Sequence, residues 1–328
     1  MKRHDVMNSP DAAYAAADQL LARHGRSFHW ARRLLGARHA ERATRLYGFC
    51  RRIDDLADDA ASPAAAHAAL DTVRRALDTG QSDDAEVRDM LQLMDYCRID
   101  ASIPLELIRG VRSDLGEVRF ADMDELLRYC YRVAGTVGLM MTAALDVTEP
   151  EALPHAIDLG IAMQLTNICR DVRDDALLGR RYLPATLVGE LAPAALVDPS
   201  VAVRATATHA LCTLLDLADR YYASGELGLR FLPAGARTGI LVAARVYRGI
   251  GLVLREREYD CWSSRAMVGN GSKVAITLGA LAGTLGARWG GGQTTTTPAP
   301  TPTSSARPYG PLPPHPGSAW LARAGVAD

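Results

Sequence analysis

The chain has 328 residues, 48% of them hydrophobic, and its 37 basic and 38 acidic residues leave a formal charge of −1. That is enough apolar material for one large domain or two small ones, and the near-neutral balance gives no electrostatic reason to expect nucleic acid or a strongly anionic surface as partner. The six cysteines (Cys50, Cys97, Cys130, Cys169, Cys212 and Cys261) contain no CxxC pair, which argues against a disulfide framework or a zinc site and for a reducing compartment.

Lys2 and Lys273 are the only lysines, so nearly all the positive charge is arginine, a side chain suited to phosphate. Residues 1–30 lack a basic-then-apolar signal arrangement. The longest apolar run, Val274 to Ala287, is shorter than the roughly 20 residues a membrane span needs, so any membrane contact is expected to be peripheral.

From Tyr14 the series Tyr14, Ala17, Leu21, His24, Phe28, Ala31, Leu35 steps by three and four and predicts a helix interrupted near Gly25. His24 lies in its stripe. Glu41 to Asp59 predicts a second helix. Its apolar stripe is Ala43, Leu46, Cys50, Ile53 and Ala57, and Tyr47, Arg51, Asp54, Asp55 and Asp58 fall one residue further round. The carboxylates therefore lie beside the buried stripe and not opposite it, as an ordinary surface helix would have them.

Helices are then expected over 64–79 and 85–99, without chemical character, and from Ser102 towards Leu115, where Asp114 reads more readily as solvated than as a slot residue. Asp124 to Leu145 predicts a long helix with the stripe Leu126, Cys130, Val133, Val137, Met140 and Ala144. Gly135 and Gly138 in its middle cost about 1 kcal/mol each against alanine, so either close packing or a kink that opens room for a ligand should compensate.

The next helix repeats the arrangement of the second. Ile157, Ile161, Leu165, Ile168 and Val172 form its apolar stripe, and Gln164, Asn167, Asp171 and Asp175 run beside it, with Met163, Cys169 and Leu177 nearby. Carboxylates one turn apart repel by only about 0.2–0.5 kcal/mol in water, but the penalty grows as the dielectric falls, and a cation relieves it. If the two acidic helices face each other, their rows bracket one oxygen-rich slot suited to Mg²⁺, with Arg51 and Arg170 as phosphate donors. Gly179-Arg180-Arg181-Tyr182-Leu183-Pro184 then places two arginines and a tyrosine at the slot's mouth. Ser200 is positioned to cap a helix from Val201 to Ser224, and Arg237 to Tyr259, carrying Tyr247, is the last clear helix. With no βαβ alternation the class is all-α. Residues 1–289 are expected to form the folded domain, and the Gly/Thr/Pro-rich stretch 290–328 a disordered tail.

The segments Tyr47-Gly-Phe-Cys-Arg51-Arg-Ile-Asp54-Asp55-Leu-Ala-Asp58-Asp59 and Gln164-Leu-Thr-Asn167-Ile-Cys-Arg170-Asp171-Val-Arg-Asp174-Asp175 together resemble the squalene and phytoene synthase family. Supporting likenesses occur in the family's order at His24 to Phe28, Tyr129 to Gly138, Gly179 to Pro184 and Ala244 to Tyr247. The resemblance implies a single isoprenoid synthase bundle around a central cavity. It implies metal ligands at Asp54, Asp55, Asp58, Asn167, Asp171 and Asp175, and diphosphate contacts from His24, Ser27, Arg51, Gln164, Arg170, Tyr182 and Arg265. Catalytic roles are implied for Arg51, Arg170, Tyr47 and Tyr247. Gly25 stands where many relatives have serine, and Asp174 where glutamate is usual.

By that likeness two geranylgeranyl diphosphates are joined head to head through a cyclopropylcarbinyl diphosphate to phytoene, with Mg²⁺, or Mn²⁺ in its place, and without NADPH. Val133, Val137, Leu165 and Ile168 are expected as apolar walls, and side chains near Gly135 or Val172 as determinants of chain length. The implied location is cytoplasmic, with peripheral contact at the inner membrane for product release. A squalene, dehydrosqualene or hydroxysqualene synthase using farnesyl diphosphate is the alternative within the family. A terpene cyclase, a chain-elongating prenyltransferase and a non-catalytic helical protein lie further off.

Overall fold

A computed structural model of the protein describes residues 14, 17–21, 23, 26–289 and 317. His24, Gly25 and the expected tail, apart from position 317, lie outside these residues, as does the side chain of Ser27. All regular structure among the described residues is helical: α1 (Arg26–Arg32), α2 (Ala37–Asp58), α3 (Pro63–Thr79), α4 (Ala85–Cys97), α5 (Ser102–Ser113), α6 (Met123–Cys130), α7 (Thr136–Ala144), α8 (Ala152–Leu177), the short α9 (Ala185–Val188) and α10 (Ala194–Val197), α11 (Val201–Gly228), α12 (Ala234–Glu256) and α13 (Asn270–Trp289).

Helix starts follow capping chemistry. Ser62, Asp84, Asp122 and Ser200 each accept a backbone N–H from the first turn of α3, α4, α6 and α11. α3 stops at Gly80, whose φ of 74° is the left-handed geometry glycine adopts at no steric cost. α13 is an element the periodicity did not single out. Its buried side, with Ala280 and Lys273, packs on α12, and Trp30 Nε1 donates to Thr277 Oγ1 at 2.9 Å to tie it to α1.

α8 is the axis of the molecule. Its expected stripe, Ile157, Ile161, Leu165, Ile168 and Val172, is buried, and α11 and α12 pack against it, as do α7 and the turn before α7. α11 with its terminal turn (Val201–Phe231) is long and apolar enough to cross a membrane, at a mean hydropathy of 1.2, but it packs along α8 as a core helix does.

The long helix expected over 124–145 runs from Met123 to Ala144 with a local widening in its middle. Tyr131–Gly135 forms a π-helical turn between α6 and α7, a local widening frequent at functional sites. Its glycines have a packing reason. A Cβ on Gly138 would sit 2.2 Å from the Ala156 carbonyl oxygen, and one on Gly160 would sit 2.3 Å from that of Ala134. Glycine on both helices therefore allows backbone-to-backbone approach.

Candidate active site

Between these helices lies a cavity of about 350 Å³, walled by α1, α2, the π turn with α7, one face of α8, the end of α11 and α12. Most of its wall is apolar, with Phe28, Val133, Val137, Met141, Leu159 and Met163 among the lining side chains. Leu165 and Ile168, expected as walls, belong to the core on the other side of α8, because they sit in its buried stripe. Leu177 is exposed at the helix end and does not shape the cavity.

One end of the cavity is polar. α2 contributes Tyr47, Cys50 and Asp54 to the lining, α8 contributes Gln164 and Asn167, and α12 contributes Tyr247, whose ring lies 5.0 Å from that of Phe28. The two acidic helices thus face one slot from opposite walls, as their matching patterns predicted.

The charges in the slot divide into two groups. The first is paired. Arg51 Nη2 meets Asp55 Oδ1 at 2.5 Å, and Arg180 Nη2 donates to Asp58 Oδ1 at 3.2 Å. Asp171 is clamped twice, by Arg170 (Nε to Oδ1, 2.8 Å) and by Arg265 (Nε to Oδ1, 2.9 Å; Nη2 to Oδ2, 3.0 Å). Fork-to-carboxylate pairs of this kind are strong and directional, and despite its burial they hold the Asp171 carboxyl below the ordinary range.

The second group has no cationic partner at bonding distance. Burial, with the negative charges of Asp58, Asp55 and Asp114, pushes Asp54 up to about 7 against the pull of Arg51. Asp54 is exposed by surface area, but that surface faces the cavity it lines; the surrounding protein, and not bulk water, sets its proton affinity. Burial, then the charge of Asp171, pushes Asp175 up to about 7 as well. Asn167 Oδ1 is buried without a hydrogen-bond partner, which is costly unless something else satisfies it.

These oxygens fit a divalent cation. Among the described residues no three His, Cys, Asp or Glu side chains close into a metal cage, so the six expected ligands are not a preassembled shell.

Asp114, expected to be solvated, is drawn into the site. Tyr129 Oη donates to Asp114 Oδ2 at 2.8 Å and Tyr182 Oη to Asp114 Oδ1 at 2.9 Å. Burial pushes the carboxyl up to about 6, against these two phenols. The loop before α6 zips onto the loop after α8, with Arg181 N donating to Val118 O at 3.1 Å and Ala185 N to Phe120 O at 2.9 Å. That pairing brings the rings of Phe120, Tyr129 and Tyr182 within 5.1 to 5.9 Å of one another. Tyr182 is therefore bonded to Asp114 and lies outside the lining of the main cavity. The neighbouring arginines also part company. Arg180 faces the slot, whereas Arg181 is buried and donates to the Gly189 carbonyl.

The cavity is apolar with Asp54 from α2 and Gln164 and Asn167 from α8 at one end, and arginines accompany both acidic rows. The sequence profile of squalene/phytoene synthase matches residues 21–272. The chain belongs to this family.

Among characterised members, the phytoene synthase of Pseudescherichia vulneris is 33% identical over 279 residues, covering 80% of this chain and 89% of the relative. The 15-cis-phytoene synthase of Enterobacter agglomerans is 32% identical, covering 78% and 90%. The crystal structure of a dehydrosqualene synthase in complex with ligand superposes with a TM-score of 0.72 at 25% identity, covering 85% of this chain and 98% of that one. The isoprenoid synthase bundle of the squalene/phytoene synthase family is thus the fold of this protein.

Proposed function

We propose that this protein is a phytoene synthase, a prenyltransferase that joins two geranylgeranyl diphosphates head to head through a cyclopropylcarbinyl diphosphate, without a reductant. The observation that carries the reading is the slot itself: Asp54 and Asn167 at the polar end of an apolar cavity, and Asp175 further along α8, lack cationic partners at bonding distance beside arginines already held on carboxylates. Likeness to phytoene synthases over about four-fifths of the chain supports the choice of product.

In this reading Asp54, Asp55 and Asp58 on α2 and Asn167, Asp171 and Asp175 on α8 would hold Mg²⁺, which would supply charge to stabilise the departing diphosphate. Arg51, Arg170 and Arg265 exchange their carboxylate partners for phosphate oxygens and orient the leaving group. Tyr47 and Tyr247 line the cavity with neutral phenols; burial pushes Tyr47 up to about 12 and raises Tyr247 as well. Their ring faces, with Phe28, stabilise an allylic cation, while Val133, Val137 and Met163 exclude the water that would quench it. Asp114 is a positioning residue, anchored by Tyr129 and Tyr182 and lying electrostatically close to both Asp54 and Asp175. The product is a hydrocarbon, so the reading has the enzyme act in the cytoplasm in peripheral contact with the inner membrane.

The structural likeness to a dehydrosqualene synthase favours farnesyl diphosphate as the competing substrate. Purified protein with Mg²⁺ is offered geranylgeranyl or farnesyl diphosphate, with and without NADPH, and the extract is identified by mass spectrometry. Phytoene formed without NADPH supports the reading. A product from farnesyl diphosphate alone moves the protein to the alternative, and a cyclised or merely elongated chain refutes head-to-head joining.

A further inference from the structure

The end of the cavity opposite the acid slot carries a polar assembly that the proposed chemistry does not use. α8 runs the length of the cavity and presents Ala156, Leu159, Gly160 and Met163 between Asn167 at one end and His155, with Ala152 nearly a turn beyond it, at the other. Twelve residues of helix separate Asn167 from His155, about 18 Å at 1.5 Å per residue. After that apolar stretch the part of the lining that α8 contributes becomes polar again at His155.

His155 is held on three sides. Its Nδ1 lies 3.1 Å from Ser224 Oγ, and Ser224 Oγ donates to Asp158 Oδ2 at 2.5 Å. Because the single hydroxyl proton goes to the carboxylate, the serine oxygen accepts from Nδ1–H, which sets the tautomer of the ring. The ring also lies near-parallel to Phe231, with centroids 6.2 Å apart at 24°. Its root rests on backbone: a Cβ built on Gly228 would sit 2.5 Å from His155 Cβ, and one on Gly225 would sit 2.9 Å from Leu159 Cβ. The glycines of α11 thus let that helix close the cavity against α8. Burial and Arg230 lower the proton affinity of His155, consistent with a neutral ring facing hydrocarbon.

We propose that His155, locked by Ser224 and Asp158 and braced by Gly228, is the end-stop for the prenyl chain lying along α8 and so sets the chain length this enzyme accepts. The inference rests on the proposed prenyl diphosphate substrate and deepens it. Of the side chains expected near Gly135 or Val172 to govern chain length, Val133, Ala134 and Val137 line the cavity wall; Gly135 itself is packed on Ile157, and Val172 belongs to the core stripe. A chain longer than the available depth would have to displace a hydrogen-bonded ring, whereas a shorter one would leave apolar wall uncovered. Either mismatch reduces binding.

The test measures binding of unreactive thiolo-diphosphates bearing farnesyl, geranylgeranyl and geranylfarnesyl chains to the wild type, His155→Ala, Gly228→Ala and Ser224→Ala, with turnover of the matching diphosphates in parallel. His155→Ala is expected to improve the geranylfarnesyl analogue relative to the geranylgeranyl one by at least about tenfold, as opening a pocket by several methylenes does. Gly228→Ala, whose added methyl crowds the root of His155, is expected to shift preference towards the farnesyl analogue. Ser224→Ala should shift preference the same way as His155→Ala, but less. Length ratios that stay at wild-type values in both His155→Ala and Gly228→Ala overturn the inference. Shifted binding ratios without phytoene from any variant or the wild type uphold the end-stop while refuting the proposed reaction.

Discussion

Arg265 and Asp171 meet side by side, Nε on Oδ1 at 2.9 Å and Nη2 on Oδ2 at 3.0 Å, across 94 positions of sequence. With Arg170 on the other flank, the carboxylate in the middle of the second acidic row is already neutralised by the groups proposed to receive diphosphate. Arg265→Ala should weaken binding of inorganic pyrophosphate, measured calorimetrically with Mg²⁺ present, by about tenfold, the loss expected of a charge-assisted hydrogen bond. Thermal stability should hardly move, because the arginine side chain is 54% exposed and pairs of that kind contribute little. Arg265→Lys should recover only part of the affinity, since lysine lacks the planar fork.

Asp54 and Asp175 bind protons in the folded state up to about 7, well above the unfolded carboxyl. Between about pH 4 and 7 the native protein therefore holds more protons than the unfolded chain, so these groups lower stability as pH rises through that window, with the full penalty present above it. A cation at the slot removes the penalty. Melting temperature measured with Mg²⁺ and with EDTA should differ more at pH 8 than at pH 6, and Asp54→Asn with Asp175→Asn should abolish the difference. An equal magnesium effect at both pH values would contradict this assignment.

On the acid side the sign reverses at Asp146. Burial pushes this carboxyl up, but hydrogen bonds from Arg42 (2.7 Å) and His39 (3.0 Å) and the charges of Arg42 and Arg38 outweigh it and hold it down to about 2. Its contribution is present above the unfolded value near 4 and is lost as pH falls towards 2. The side chain is 38% exposed, so solvent screening keeps the effect small. In Asp146→Asn the acid unfolding midpoint should move to higher pH with catalysis unchanged.

Asn167→Ala removes a buried oxygen that has no protein partner. Turnover should fall by about a hundredfold, as when one preorganised polar group is deleted from an active site. Stability should stay level or rise, because an unsatisfied group has been taken out. A large drop in melting temperature would mark the residue as structural.

Gly138→Ala and Gly160→Ala each place a methyl group within 2.3 Å of a backbone carbonyl oxygen on the facing segment. Backbone cannot rotate aside, so each change should destabilise by about 1–3 kcal/mol, lowering the melting temperature by roughly 2–4 °C per kcal/mol for a domain of this size.

Local pattern was enough to place α2 and α8 and to show that their carboxylates lie beside the buried stripe, because 3.6-residue periodicity fixes which side chains share a face. Periodicity put Asp54 on one polar row and Asn167 with Asp175 on the other, and the motif likeness added the family. The same periodicity could not separate cavity wall from core, so Leu165 and Ile168 were assigned to the wrong side of α8. Nor could it choose between packing and opening at Gly135 and Gly138, where the fold uses close packing and a π turn together.

What the sequence by itself determined is therefore the all-α class, the two acidic helices and the family they belong to, since each is written in residues a few positions apart. Tertiary structure alone decided that Arg265 reaches Asp171, that Asp114 is held by Tyr129 and Tyr182, that Arg180 faces the slot while Arg181 is buried, and that His155 lines the cavity. Each of those pairings, and the depth of the cavity, depends on how separate segments pack against one another, and no helical spacing encodes that distance.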